Sequence, residues 1–196
     1  MSKTIVAVLG AGRAERFGGG KLDAPLAGRA LGAWAVGRAQ ALGHPCLFVA
    51  SDMVPAFLAD LSAPPEIAHN PAAATGMGSS LALAARIARE RGAARLLVLL
   101  ADMPLVEEAT LRALREATAP GGSAAAACRY PDGRLGPPAC FGAALLPRLE
   151  GLEGDHGARR LLASLQDVVA IPAGADELLD IDSPADLASA ALLLGG

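Results

Sequence analysis

Residues 4–21 read Thr4-Ile5-Val6-Ala7-Val8-Leu9-Gly10-Ala11-Gly12-Arg13-Ala14-Glu15-Arg16-Phe17-Gly18-Gly19-Gly20-Lys21. The first six residues are continuously apolar and partly β-branched, as a strand buried on both faces of a sheet should be. A glycine-rich loop ending on a lysine follows. Glycines let backbone N–H groups approach an anion closely, while Arg16 and Lys21 add mobile positive charge, so the stretch reads as a strand feeding a phosphate cradle. The bland alternative is a glycine-rich turn with solvated Arg and Lys. Two familiar cradles do not match. The dinucleotide fingerprint needs Gly or Ala where Glu15 stands, with an acid about 20 residues further on, whereas Asp52 comes much later. The P-loop pattern fails because Glu15 replaces its first Gly and Leu22 follows Lys21.

Outward from this stretch, strand-like and helix-like runs alternate. Helical patterns cover 30–42, 81–91, 106–117, 145–150 and 158–165, with a short one at 55–61. Strand patterns cover 46–50, 66–69, 95–100, 123–129 and 168–171, and the segment between 129 and 145 begins as loop. Glu107 and Glu108 fall in the first turn of their helix, where the dipole favours them. Ser183 is placed to cap the last helix, with Pro184 at its first position. The rhythm predicts a three-layer α/β/α sandwich on a mostly parallel sheet. No linker or composition break divides the chain, so one domain is expected across 1–196.

Such sheets bind ligands beyond the carboxyl ends of their strands. Besides the cradle, one other loop there stands out: Ala101-Asp102-Met103-Pro104, directly after the apolar run Arg95–Leu100. Asp102 offers carboxylate oxygens suited to Mg²⁺ shared with substrate phosphates. Its structural alternative is a cap on the following helix. Basic groups and a magnesium carboxylate meeting at one sheet edge would form a nucleoside triphosphate site.

Composition narrows the classes. With 196 residues, 53% hydrophobic and 19% charged, the chain can bury a sizeable core and is not disordered. No run of about 18 apolar residues occurs, so no membrane span is expected. The net charge of −3, lysines only at 3 and 21, and 3% aromatic residues leave neither an electrostatic footprint nor a stacking platform for nucleic acid. Cys46, Cys128 and Cys140 lack zinc-ligand spacing and read as buried thiols. The N-terminus lacks a signal-peptide pattern, which makes cytoplasm the expected location.

Six segments in order resemble the MobA-like nucleotidyltransferases and, within them, the molybdenum cofactor cytidylyltransferases. Residues 9–21, LGAGRAERFGGGK, are similar to the signature L-x-(A/G)-G-x-x-x-R-(M/F)-G-x-x-K, and Pro25-Leu26-Ala27-Gly28-Arg29 continues it. Asn70-Pro71 with Gly76-Met77-Gly78-Ser79-Ser80-Leu81 resembles N-P-x(4)-G-M-x-x-S-L, and Leu99–Pro104 resembles the magnesium-binding strand end. Gly136–Phe141 and Gly154–Arg159 look like the cytidylyl G-x-P-x-x-F and G-D-x-G-A-R segments, and Asp180–Leu187 is like D-I-D-T-P-x-D-L.

The resemblance implies a Rossmann-like sheet of the nucleotide-diphospho-sugar transferase type. It also implies transfer of CMP from CTP to the phosphate of molybdopterin or its metal-loaded form, with Mg²⁺ and release of pyrophosphate. Arg16, Lys21 and Asp102 are then the catalytic candidates, with Asp102 the metal ligand. Leu9, Gly10, Ala11, Gly12, Arg13, Lys21, Gly76, Ser80 and Asp102 would bind nucleotide. Pro138, Asp155, His156 and Arg159 would meet the acceptor. A client molybdoenzyme or its chaperone would be the protein partner.

Several positions depart from the pattern. Gly10 stands where the cytidylyl subgroup has Ala, Glu15 where a basic residue is common, Phe17 for Met and Ser183 for Thr. Ala11 points to cytosine while Gly10 blurs the signal, so GTP or another small phosphorylated acceptor stays open. So do a non-catalytic cofactor-delivery protein and, less well matched, a nicotinamide oxidoreductase. His44 reads as a surface loop residue and His69 as structural. Trp34 reads as packing a helix onto the sheet, and Arg86, Arg89, Glu90, Arg91 and Arg95 as a solvated helix face and its exit.

Overall fold

The computed structural model describes residues 3–11, 17, 20–152, 154, 157–174 and 176–195. In chain order the elements are β1 (Thr4–Leu9), β2 (Pro25–Leu26), β3 (Arg29–Ala30), α1 (Leu31–Ala41), β4 (Cys46–Ala50), β5 (Glu66–His69), α2 (Met77–Glu90), β6 (Arg95–Leu100), α3 (Glu108–Ala117), β7 (Ala125–Arg129), β8 (Leu135–Gly142), α4 (Leu146–Glu150), α5 (Gly157–Ser164), β9 (Val168–Pro172) and α6 (Pro184–Gly195).

Seven strands form one sheet in the order β5-β4-β1-β6-β8-β7-β9, and β2 pairs with β3 in a separate hairpin. β8 alone runs against its neighbours, making the sheet mostly parallel as expected. β1 and β6 are buried at every position, which explains the apolar sequences that follow Thr4 and Arg95. Helices α1 and α3 pack on each other over one face; α2 packs with α4 and α5 over the other. The architecture is the three-layer α/β/α sandwich that the alternating pattern predicts.

Sequence patterning did not reveal β8. Its sequence, LGPPACFG, carries two prolines that cannot donate to a ladder. The strand accommodates them in a bulge: Ala127 pairs with Ala139, but the next residue, Cys128, pairs with Gly136, so Pro137 and Pro138 are passed over on the β7 side. Helix α2 starts at Met77, four residues ahead of the expected start, because Gly76 at its N-cap adopts φ 117° and turns the chain into the helix.

Two smaller expectations also change. Arg95 is buried, and its Nε donates to the Thr118 carbonyl at 3.0 Å, so it belongs to the interior rather than to a solvated face. Trp34 packs with Leu26, Leu31 and Ile181 beside the β2–β3 hairpin, its indole N–H donating to the Leu26 carbonyl at 3.1 Å under the Arg29 guanidinium. It therefore secures the hairpin and α6 rather than a helix on the main sheet. Ser183 caps α6 as expected. Its Oγ accepts from the Asp186 N–H at 3.3 Å, while Asp186 accepts from the Ser183 N–H at 2.8 Å, a reciprocal capping box.

Gly10 has a packing cause. A Cβ at that position would lie 2.2 Å from Cζ of Phe48, a fully buried ring. The ring fills the space that a methyl would need, so the departure at Gly10 answers to Phe48. We expect Gly10→Ala to lower stability by about 1–3 kcal/mol, and the added change Phe48→Leu to recover part of that loss. Chemical denaturation checks both; an unchanged midpoint in Gly10→Ala would remove the packing explanation.

Candidate active site

The strand pairing decides which loops meet. Leu9 lies opposite Leu100 in the parallel β1–β6 ladder. Hydrogen bonds carry the ladders past the strand ends: the Ala101 N–H donates to the Leu9 carbonyl at 3.0 Å, and the Gly10 N–H to the Val49 carbonyl at 2.9 Å. Chain order reverses here, because β1 leads to β4 and β5 on one side while β6 returns on the other. The loops after β1 and β6 therefore share the crevice where such sheets take ligands.

A cavity of about 750 Å³ opens beside that crevice, toward the loops after β4 and β5. This is within the range of small-molecule sites. Leu9, Gly10, Ala11, Lys21, Gly76, Ser80 and Asp102 all line it. Gly12, Arg13, Arg16, Asp155 and His156, named from the sequence, lie outside the described residues.

Lys21 is presented by a 3-10 turn over Lys21–Asp23, entered through Gly20 at φ 63°, a left-handed conformation that favours glycine. Asp23 anchors the turn by accepting the Phe57 N–H at 2.8 Å. From there Lys21 Nζ donates to Asp102 Oδ2 at 2.7 Å and lies 3.4 Å from Asp182 Oδ1. The Asp102 carboxylate is thus spent on Lys21 and not on a helix cap. Glu107 holds the cap position of α3 and makes no side-chain capping bond.

The acids facing Lys21 include two that the sequence reading left without a role. The Ile181 N–H donates to the Asp102 carbonyl at 3.0 Å, docking the segment Asp180-Ile181-Asp182 against the Asp102 loop. Oδ1 of Asp180 is buried without a hydrogen-bond partner. Burial, reinforced by the charges of Asp102 and Asp182, pushes its carboxyl up to about 6. The alternation D-x-D just ahead of a helix cap was the available signal, but it was absorbed into the reading of that cap.

A divalent cation fits these groups. Asp102 and Asp182 both meet the Lys21 ammonium, and Asp180, two residues before Asp182, has a buried oxygen with no partner. Oxygen-only donors suit Mg²⁺, which usually takes one or two carboxylates and fills its shell with water and phosphate. Among the described residues, no three acids, histidines or cysteines form a ready-made cage.

On the far wall of the cavity, Ser80 is buried and its Oγ accepts from Asn70 Nδ2 at 2.9 Å; Asn70 Oδ1 accepts the Ala72 N–H at 3.0 Å. Asn70 thereby rigidifies the turn before α2. The Gly78 N–H donates to the Gly154 carbonyl at 2.8 Å, bringing Gly154 to the start of the same helix. Arg159 is exposed on α5, and Pro138 is buried within β8. His44 is half-buried, its Nε2 2.9 Å from Arg115 Nη1. Burial and the surrounding arginines hold its pKa below the ordinary value, so it is no simple surface residue.

Residues 6–168 match the MobA-like NTP transferase domain. The chain belongs to that family. The transferase is 33% identical over 191 residues to the purine catabolism protein PucB of Bacillus subtilis (strain 168), covering 90% of each chain. Among solved structures it resembles Rv0371c of Mycobacterium tuberculosis H37Rv, with 24% identity, a TM-score of 0.77 and coverage of 97% and 98%. A second structure of that mycobacterial protein is a complex with manganese. The molybdopterin-guanine dinucleotide biosynthesis protein A of Archaeoglobus fulgidus aligns with 21% identity and a TM-score of 0.72, over 97% and 98% of the two chains. No helix among the described residues is long and apolar enough to cross a membrane.

A carboxyl raised in the folded state binds its proton more tightly there than in the unfolded chain. Between pH 4 and 6 the contribution of Asp180 to the stability of the metal-free protein should therefore fall as pH rises, and above pH 6 Asp180 imposes its full cost. We expect Asp180→Asn to be more stable than the parent by about 1–2 kcal/mol at pH 8, allowing for solvent at the site's edge. The gain should vanish near pH 4. Urea unfolding in the presence of a chelator checks this, and equal stabilities at pH 8 would contradict the burial argument.

Proposed function

We propose that this protein transfers CMP from CTP to the terminal phosphate of molybdopterin or its metal-loaded form, releasing pyrophosphate with Mg²⁺ as cofactor. The observation that carries the reading is the Lys21–Asp102 pair at the mouth of the cavity, where one sheet edge presents both a cation for phosphates and a carboxylate for a metal. A delivery protein that only held a cofactor would have no need of that pairing. The similarity to PucB supports a product used in purine breakdown, through a molybdoenzyme client or its chaperone. Gly10 answers to Phe48, so Ala11 is left as the base-side signal, and it favours cytosine.

In this reading an oxygen of the acceptor phosphate attacks the α-phosphorus of CTP. A new P–O bond forms as the bond from the α-phosphorus to the bridging oxygen breaks, and pyrophosphate leaves with that electron pair. No covalent protein intermediate is needed, so catalysis rests on positioning and electrostatics. Lys21 would hold the triphosphate and offset charge on the departing pyrophosphate, joined by Arg16. Backbone groups at Gly10–Gly12, with Gly76 and Ser80, would enclose the nucleoside. Asp102, with Asp180 or Asp182 beside it, would hold Mg²⁺. Bound there, the ion supplies positive charge shared among the phosphate oxygens.

Asp102→Asn should keep the fold and lose nearly all pyrophosphate release; turnover at the parent rate would sink the metal assignment. Lys21→Ala should weaken CTP binding and turnover together. CTP with Mg²⁺ at about 100 times its dissociation constant should raise the melting midpoint by roughly 5–11 °C. A larger rise with GTP would transfer the reading to guanylyl transfer, and silence with both would remove the triphosphate site.

A further inference from the structure

The nucleotide cavity lies on the β4–β5 side of the Lys21–Asp102 pair, which leaves the acceptor to approach from the β8–β7 side. The hairpin joining β7 to β8 stands there. β7 runs parallel to β6, because β8 is antiparallel to both, so residues 130–134 turn at the same sheet edge as Asp102. The hairpin is braced internally. The Tyr130 hydroxyl donates to the Pro137 carbonyl at 2.7 Å, and the Tyr130 N–H donates to the Arg134 carbonyl at 2.9 Å.

One charged group in this hairpin is held in place. The Arg134 guanidinium stacks on the Tyr130 ring, 3.9 Å from its centroid. Its Nε donates to Asp132 Oδ2 at 2.9 Å, and its backbone N–H donates to Asp132 Oδ1 at 3.0 Å. Ring and carboxylate together restrict the side chain, although it stays 38% exposed. The Nη groups make no hydrogen bond to any described residue, so the planar fork that suits phosphate oxygens remains available.

Resting on the transfer reaction proposed above, we infer that Arg134, stacked on Tyr130 and braced by Asp132, anchors the phosphate monoester of the acceptor through its free Nη groups. It makes and breaks no bond itself. Its contribution is to hold the nucleophilic phosphate beside the reaction centre, where charge repulsion from the triphosphate would otherwise keep it away. Lys21 therefore serves the donor and Arg134 the acceptor, from opposite sides of the Asp102 loop.

The test is steady-state pyrophosphate release from Mg²⁺–CTP with molybdopterin as the varied acceptor, comparing the parent with Arg134→Gln and Arg134→Lys. Loss of a charge-assisted phosphate contact should raise the acceptor KM about 10- to 100-fold in Arg134→Gln, with partial recovery in Arg134→Lys. The CTP KM and the CTP-induced melting shift should not move. Inorganic phosphate should compete with the acceptor in the parent and lose potency in Arg134→Gln. An unchanged acceptor KM, or an increase confined to the CTP KM, overturns the assignment while leaving the transfer reaction intact. A parent protein that releases no pyrophosphate overturns the reaction itself.

Discussion

Direct pairing of β1 with β6 is the constraint from which the site follows. Each strand is apolar beyond its first residue, because each is covered on both faces, and neither tolerates exposure. Side by side and in parallel, they end together, with Leu9 opposite Leu100. The glycine-rich loop and Asp102 therefore start at one level of one edge. Lys21 reaches Asp102 across 81 residues of sequence only because this register fixes both approaches. A one-residue slip would turn the side chains that follow to opposite faces.

The antiparallel strand β8 extends this arrangement. It inserts antiparallel between β6 and β7, which makes β7 parallel to β6 and leaves the 130–134 hairpin at the same edge as Asp102. The bulge at Ala127/Cys128 accommodates two prolines where a regular ladder could not. Beyond β9, the chain comes back to dock Asp180 and Asp182 against Asp102, and the Ser183–Asp186 capping box then sends it away as α6. The cavity, the acid cluster and the hairpin arginine thus draw on the ends of six strands, β1, β4, β5, β6, β7 and β9.

Much of this was legible because burial on both faces leaves a plain mark. The runs Ile5–Leu9, Cys46–Ala50 and Leu96–Leu100 are apolar throughout, and the Lys21 and Asp102 loops follow two of them directly. The prolines and glycines of β8 gave the local pattern of a loop, and only the tertiary pairing with β6 and β7 overrides it. Arg95 opens a buried strand with a charge whose partner, the Thr118 carbonyl, lies 23 residues away and leaves no local trace. Asp180 and Asp182 were visible as residues but not as a cluster, since their proximity to Asp102 depends on the Ile181 hydrogen bond. Gly10 showed the reverse problem: a local departure whose cause, Phe48, lies on another strand.

The Lys21–Asp102 ion pair has a thermodynamic consequence for the proposed reaction. A cation arriving alone must draw Asp102 from its ammonium partner and leave Lys21 uncompensated. A triphosphate arriving alone draws Lys21 away and leaves the acids facing phosphate. When both arrive, each released charge finds a new counter-charge, and the cost of opening the pair is borne once rather than twice. Linkage makes that coupling reciprocal, so each ligand tightens the other by the same factor. In the proposed reaction the resting ion pair would then act as a coincidence detector, favouring the arrival of both charges over either alone.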